Sequence, residues 1–159
     1  MRRRKHTVDE PVVRRRIFPS WSIAIPPSLI ETFDDEGGYW HAYTADRSVS
    51  MSAIALTEDD RPVAIQRILE RMLPTDGERI DLLPPGLAGW AVTCPAVPPA
   101  RAGRLLQGML ALDGSVAIVT ITCDDPAWAS AIWTSIRSED LGAGAASRAL
   151  VRRGQQRLQ

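Results

Sequence analysis

Residues 101–138 read RAGRLLQGMLALDGSVAIVTITCDDPAWASAIWTSIRS, and the reading of this stretch decides the fold. Asp113-Gly114 stands between two apolar runs. A type I′ hairpin turn needs positive φ at both central residues, which Asp and Gly tolerate. With those two as the turn, Leu112 faces Ser115, Leu110 faces Ala117, Gly108 faces Val119, Leu106 faces Ile121 and Arg104 faces Cys123. Directly opposite residues share a face, so one face of this hairpin is almost wholly apolar. The other face carries Ala111 with Val116, Met109 with Ile118, Gln107 with Thr120 and Leu105 with Thr122. It is mixed, yet more apolar than a solvated face. A hairpin covered on both faces predicts a sheet with a layer on each side.

The second strand runs into Asp124-Asp125-Pro126. A carboxylate can accept from the free N–H groups of a first helical turn, and Pro suits the first helical position. Trp128, Ala129, Ile132, Trp133 and Ile136 then form one apolar stripe. This helix is expected to dock on the sheet.

Working outward, Trp21, Ile23 and Ile25 alternate with Ser22 and Ala24, which predicts a half-buried strand ended by Pro26-Pro27. Residues 28–33 are expected to form one helical turn, followed by the acidic loop Asp34-Asp35-Glu36-Gly37-Gly38. Residues 39–45 and 48–56 alternate as two strands around Asp46-Arg47. Ile65, Ile68, Leu69 and Met72 fall on one helical face, so a first main helix is expected from Asp59 to about Leu73, ended by Pro74. Residues 79–83 and 87–94 are predicted strands around Pro84-Pro85-Gly86. No repeat of fixed period is present.

The chain has 159 residues and a formal net charge of zero. That length predicts one domain with a sizeable core. The charge is unevenly placed. Residues 1–16 hold seven basic against two acidic residues, residues 139–159 four against two, and the middle eight against fifteen. An acidic body with basic ends is the result. The expected organisation is a flexible basic arm (1–16), a single globular domain (17–138) and a flexible basic tail (139–159). A basic arm can bind nucleic acid electrostatically, but no aromatic residue is interleaved in 1–16 to stack on bases. A single Lys and no Asn also point to a GC-rich coding bias behind the arginines. Nucleic acid is therefore not the expected partner.

The basic start has no apolar core of signal-peptide length behind it, and no apolar run approaches membrane-span length. A cytoplasmic protein with no membrane partner is expected, with Cys94 and Cys123 as free thiols.

The chemistry-bearing residues are few. His6 lies in the arm, and His41 lies on a strand without partners that the sequence identifies. Metal-ligand spacings, a G-x-S-x-G elbow and a phosphate-binding loop are all missing from the sequence. Gly142-Ala143-Gly144-Ala145-Ala146-Ser147 lacks the third Gly of a dinucleotide loop and follows a helix rather than a strand. The acid pairs at 58–60 and 124–125 sit where helix caps belong. No catalytic residue, cofactor or metal is expected. The aromatic cluster Tyr39, Trp40, His41 and Tyr43 is the candidate partner-binding surface, because aromatic side chains anchor interfaces.

Trp21-Ser22-Ile23-Ala24-Ile25-Pro26, Gly108-Met109-Leu110-Ala111-Leu112-Asp113-Gly114 and Trp133-Thr134-Ser135-Ile136-Arg137 carry a resemblance. In order and pattern, over about residues 17–138, the chain resembles the Mog1/PsbP-like superfamily. That resemblance implies an antiparallel sheet flanked by helices, and members that are mainly binding proteins: a Ran-GTPase partner, a photosystem II extrinsic subunit and chaperones for bacterial toxins. It supplies no catalytic residue.

The expected fold is thus α+β: a mainly antiparallel sheet of about six to seven strands flanked by two main helices, an α/β/α-type sandwich. The expected function is a non-catalytic adaptor or chaperone that binds another protein. The alternatives are a small-ligand-binding protein or enzyme with a pocket between sheet and helices, and weak nucleic-acid binding through the arms.

Overall fold

The computed structural model describes residues 10–34, 36, 38–55, 67, 70–96, 103–112 and 114–139. They form ten strands and one defined helix: β1 (Val13–Phe18), β2 (Trp21–Ile25), β3 (Ile30–Asp34), β4 (Tyr39–Tyr43), β5 (Ser48–Ala55), β6 (Glu78–Ile80), β7 (Ala88–Pro95), β8 (Arg104–Leu112), β9 (Ser115–Thr122), α1 (Pro126–Thr134) and β10 (Arg137–Ser138). Seven strands make one antiparallel sheet in the order β3-β4-β5-β9-β8-β7-β6, and three make a second in the order β1-β2-β10.

The predicted hairpin is present in its predicted register. Leu112 faces Ser115, Leu110 faces Ala117, Gly108 faces Val119 and Leu106 faces Ile121. The Cys123 N–H donates to the Arg104 carbonyl at 3.1 Å, closing the ladder at its far end. Gly114 has φ +85°, the left-handed value that the turn demands and that Gly adopts without steric cost. Asp113 lies outside the described residues.

The expectation of an α/β/α sandwich is corrected: the described protein is nearly all β, with two sheets and little helix. The first face of the large sheet presents Trp40, Ala42, Val49, Met51, Leu106, Leu110, Ala117, Val119 and Ile121. The small sheet covers it with Trp21, Ile23 and Ile25, and α1 adds Trp128, Ile132 and Trp133. An apolar sheet face specifies that something covers it and leaves open whether the cover is helix or sheet. The sequence concealed the second sheet because its flanking strands have no alternation to detect. β1 reads VRRRIF, and β10 has two residues.

On the opposite face Trp90, Val92, Met109, Ala111 and Val116 form a second buried cluster, with Leu73 and Ile118 packed against it. The expected first helix falls mostly outside the described residues; Arg67 and residues 70–72 are helical.

Residues 13–16, expected within the arm, stand in β1 as an edge strand held by backbone pairing to β2 and by arginine side chains. Arg14 donates to Ser22 Oγ and to the Ser135 carbonyl, both at 3.0 Å, and Arg16 donates twice to the Pro19 carbonyl. Residues 28–33, expected as a helical turn, instead lead into β3.

α1 begins as the sequence predicts. Asp125 accepts from the Ala127 and Trp128 N–H groups at 3.0 and 3.4 Å, and Pro126 takes the first helical position. Asp124 has a separate role, accepting from the Gly103 N–H at 2.8 Å. Replacing Asp125 by Ala leaves those N–H groups without their acceptor. The expected loss is about 1 kcal/mol of unfolding free energy in a urea titration.

Candidate functional site: an exposed edge strand

The four aromatic residues singled out in the sequence are divided by the alternation of β4. Trp40 and Ala42 point into the main core beside Met51 and Val49. Trp40 is 3% exposed, and its Nε1–H donates to Glu31 Oε1 at 3.3 Å. Tyr39, His41 and Tyr43 lie on the other face, as a ladder with ring centroids 6.2 Å and then 5.0 Å apart. Trp40 is therefore scaffold, and three aromatic rings remain outside the main core.

That ladder borders β3, which ends the large sheet and has β4 as its one neighbour among the described strands. All five β3 residues are exposed. Ile30 and Phe33 are 58% and 48% exposed, and Tyr39 beside them is 42% exposed. Phe33 leans on Phe18 of β1 with ring centroids 5.7 Å apart. Arg15 Nε lies 3.4 Å from Glu31 Oε2, a second link between β1 and β3. The remaining charge on this rim is acidic: Asp34, whose Oδ1 accepts from the Glu36 N–H at 3.1 Å, and Glu36 itself.

Sequence reasoning missed β3 because IETFD has no apolar face. Ile30, Thr32 and Asp34 share one side, Glu31 and Phe33 the other. The one available signal was the strand preference of Ile, Thr and Phe.

A cleft of about 430 Å³ lies at the opposite end of the large sheet, where α1 begins. Ile80, Leu106, Ile121 and Ala129 line its apolar part, with Glu78, Arg104 and the Cys123 thiol among its polar groups. Burial, aided by the Asp125 and Asp124 charges, holds the Cys123 thiol above its ordinary pKa although its sulfur donates to the Asp125 carbonyl at 3.1 Å. A raised thiol pKa keeps it protonated at neutral pH, which is the reverse of what a nucleophilic cysteine needs. His41 is not part of this cleft. Cys94 and Cys123 are both free.

Among the described residues no three His, Cys, Asp or Glu side chains converge on a metal-sized site. No described helix is long and apolar enough to cross a membrane. The basic residues at 2–5 and at 148–157 lie outside the described residues, and within β1 Arg14, Arg15 and Arg16 are all engaged by neighbours. No model of a known protein family matches this chain, and a search of curated proteins finds no significant relative.

Proposed function

We propose that the protein is a non-catalytic protein-binding module that takes an extended segment of its partner onto the edge of β3. The observation that carries this reading is a five-residue edge strand that is exposed throughout and bears Ile30 and Phe33. An edge strand offers a row of backbone donors and acceptors to an added strand, and the flanking side chains select its sequence. Each flank carries one apolar and one acidic residue: Phe33 and Glu31 on one face, Ile30 and Asp34 on the other. The fitting segment sets apolar residues opposite Ile30 and Phe33 and basic residues opposite Glu31 and Asp34.

A fluorescent arginine–valine heptapeptide of the order Thr-Arg-Val-Thr-Arg-Val-Thr, which meets β3 antiparallel with arginine opposite each acid, is the direct probe. Fluorescence anisotropy is expected to give saturable binding that weakens with salt, because the charges involved are exposed. Phe33→Asp is expected to reduce affinity at least about tenfold, close to 1.4 kcal/mol, while the variant still unfolds cooperatively. Unsaturable binding, or equal affinity in the variant, contradicts the proposal.

A second reading, binding of a small apolar ligand, rests on the cleft beside α1. Saturable fluorescence enhancement of anilinonaphthalene sulfonate by the native protein, removed by Ser130→Trp, is the result that supports it. No enhancement, or enhancement unchanged in the variant, counts against it.

A further inference from the structure

We infer that the outer face of the small sheet binds a phosphorylated side chain of a partner protein through Arg14, Arg16 and Arg137. This surface is separate from β3 and does not depend on it.

Strand pairing places the three arginines together. Trp21, Ile23 and Ile25 of β2 point into the core, so Ser22 and Ala24 point outward. Directly opposite residues share a face. Arg14 stands opposite Ala24 and Arg16 opposite Ser22 on the β1 side, and Arg137 stands opposite Ser22 on the β10 side. Arg16 and Arg137 are thus two strand spacings apart, about 10 Å, with Ser22 between them. Arg14 reaches across β2: its guanidinium donates to Ser22 Oγ and to the Ser135 carbonyl, both at 3.0 Å. Three exposed arginines therefore gather over a floor of Ser22 and Ala24.

Their charge is not compensated. Arg14 and Arg16 donate to neutral oxygens, those of Ser22, Ser135 and Pro19. Among the described residues the ion pairs are made by Arg15 and Arg47, and Glu139, the nearest acid beyond Arg137, pairs with none of the three. The patch stands out on a body, residues 17–138, that holds eight basic against fifteen acidic residues.

An anion is the complement of such a face, and phosphate suits it best. Each guanidinium keeps further N–H donors, and planar guanidinium groups give paired hydrogen bonds to phosphate oxygens. The bonds to Ser22, Ser135 and Pro19 hold Arg14 and Arg16 in place, which lowers the ordering cost of binding. The extent of the patch selects the source of the phosphate. A single phosphate group fits between these arginines, whereas nucleic acid is bound by neutralising a longer run of phosphates. Bases would also find no exposed ring here to stack on, because Trp21 is fully buried and Phe18 leans on Phe33.

Fluorescence anisotropy of the full-length protein with the labelled peptide Gly-Ala-Gly-phosphoserine-Gly-Ala-Gly tests this. Saturable binding is expected, at least about tenfold tighter than to the same peptide with unmodified serine. Arg137→Gln removes no hydrogen bond of the fold and is expected to weaken phosphopeptide binding at least about tenfold. Arg16→Gln is expected to weaken it as well. Arg79→Gln, at the far edge of the large sheet, is expected to leave it unchanged. Equal affinity for the two peptides overturns the inference, as does unchanged affinity in Arg137→Gln. An equal loss in Arg79→Gln also overturns it, because net charge is then responsible. Tighter binding of an oligothymidylate than of the phosphopeptide, lost in Arg137→Gln, assigns the face to nucleic acid instead.

Discussion

Gly108→Ala is expected to cost about 3 kcal/mol of unfolding free energy, and Gly108→Val to prevent a cooperative unfolding transition. Gly108 sits in the middle of β8, where glycine ordinarily weakens a strand. Its presence follows from Trp133. A Cβ at position 108 would run into the Cη2 and Cζ3 atoms of that ring, with Cζ2 close behind at 3.1 Å. The indole has no room to retreat: Trp133 is fully buried, and its Nε1–H donates to the Leu82 carbonyl at 2.8 Å. Overpacking a tight core costs about 1–3 kcal/mol, and a rigid ring pinned by a hydrogen bond belongs at the upper end. Urea unfolding measures the cost. Gly108→Ala combined with Trp133→Leu should recover part of it, since the smaller side chain makes room for the added methyl. A single Gly108→Ala chain as stable as wild type would show that α1 does not seat on β8 as described.

Arg47→Leu is expected to lose about 3–5 kcal/mol. Arg47 is 4% exposed, an unusual position for a guanidinium. It is retained there by the bidentate pair with Glu10 and by stacking over the Trp128 ring, with Cζ 4.6 Å from the ring centroid. Its Nε has no hydrogen-bond partner. The pair is therefore incompletely satisfied, and desolvation offsets much of its Coulomb attraction. Removing one partner exposes that cost, because Glu10 keeps its charge in a half-buried place. Glu10→Leu combined with Arg47→Leu should be more stable than Arg47→Leu alone, and a double-mutant cycle reads the difference. Equal stability of the two would mean that Glu10 contributes nothing to the burial of Arg47. The same contact ties the start of the described chain to the β4–β5 turn and to the first turn of α1. Its loss should therefore loosen β1 as well as lower global stability.

The legible part of the fold lay where side-chain period and turn chemistry agreed. Residues 101–138 gave β8, β9, their register and the start of α1, because Gly114, the apolar alternation and Asp125-Pro126 each have one good structural solution. The covering layer was illegible for a physical reason. Trp21, Ile23 and Ile25 state that one side of β2 is buried, but the strands that widen β2 into a sheet are held by backbone pairing. Their side chains, from Arg14 to Arg16, follow no period. The candidate site was half legible. The aromatic cluster lies on β4, the strand next to the proposed edge, and the name of each residue did not say which face it took. Trp40 went to the core and Tyr39, His41 and Tyr43 to the other side. β3 escaped detection because an edge strand exposed on both faces needs no apolar alternation.

The central claim is that β3 is the surface through which this protein binds an extended segment. Amide chemical-shift mapping of the full chain during titration with the arginine–valine heptapeptide tests it most directly. The account predicts saturable shifts concentrated at residues 30–34 and in the adjoining strand at 39–43. Shifts centred instead on Ile80, Leu106 and Ala129 of the cleft, or no saturable shift at all, would contradict it.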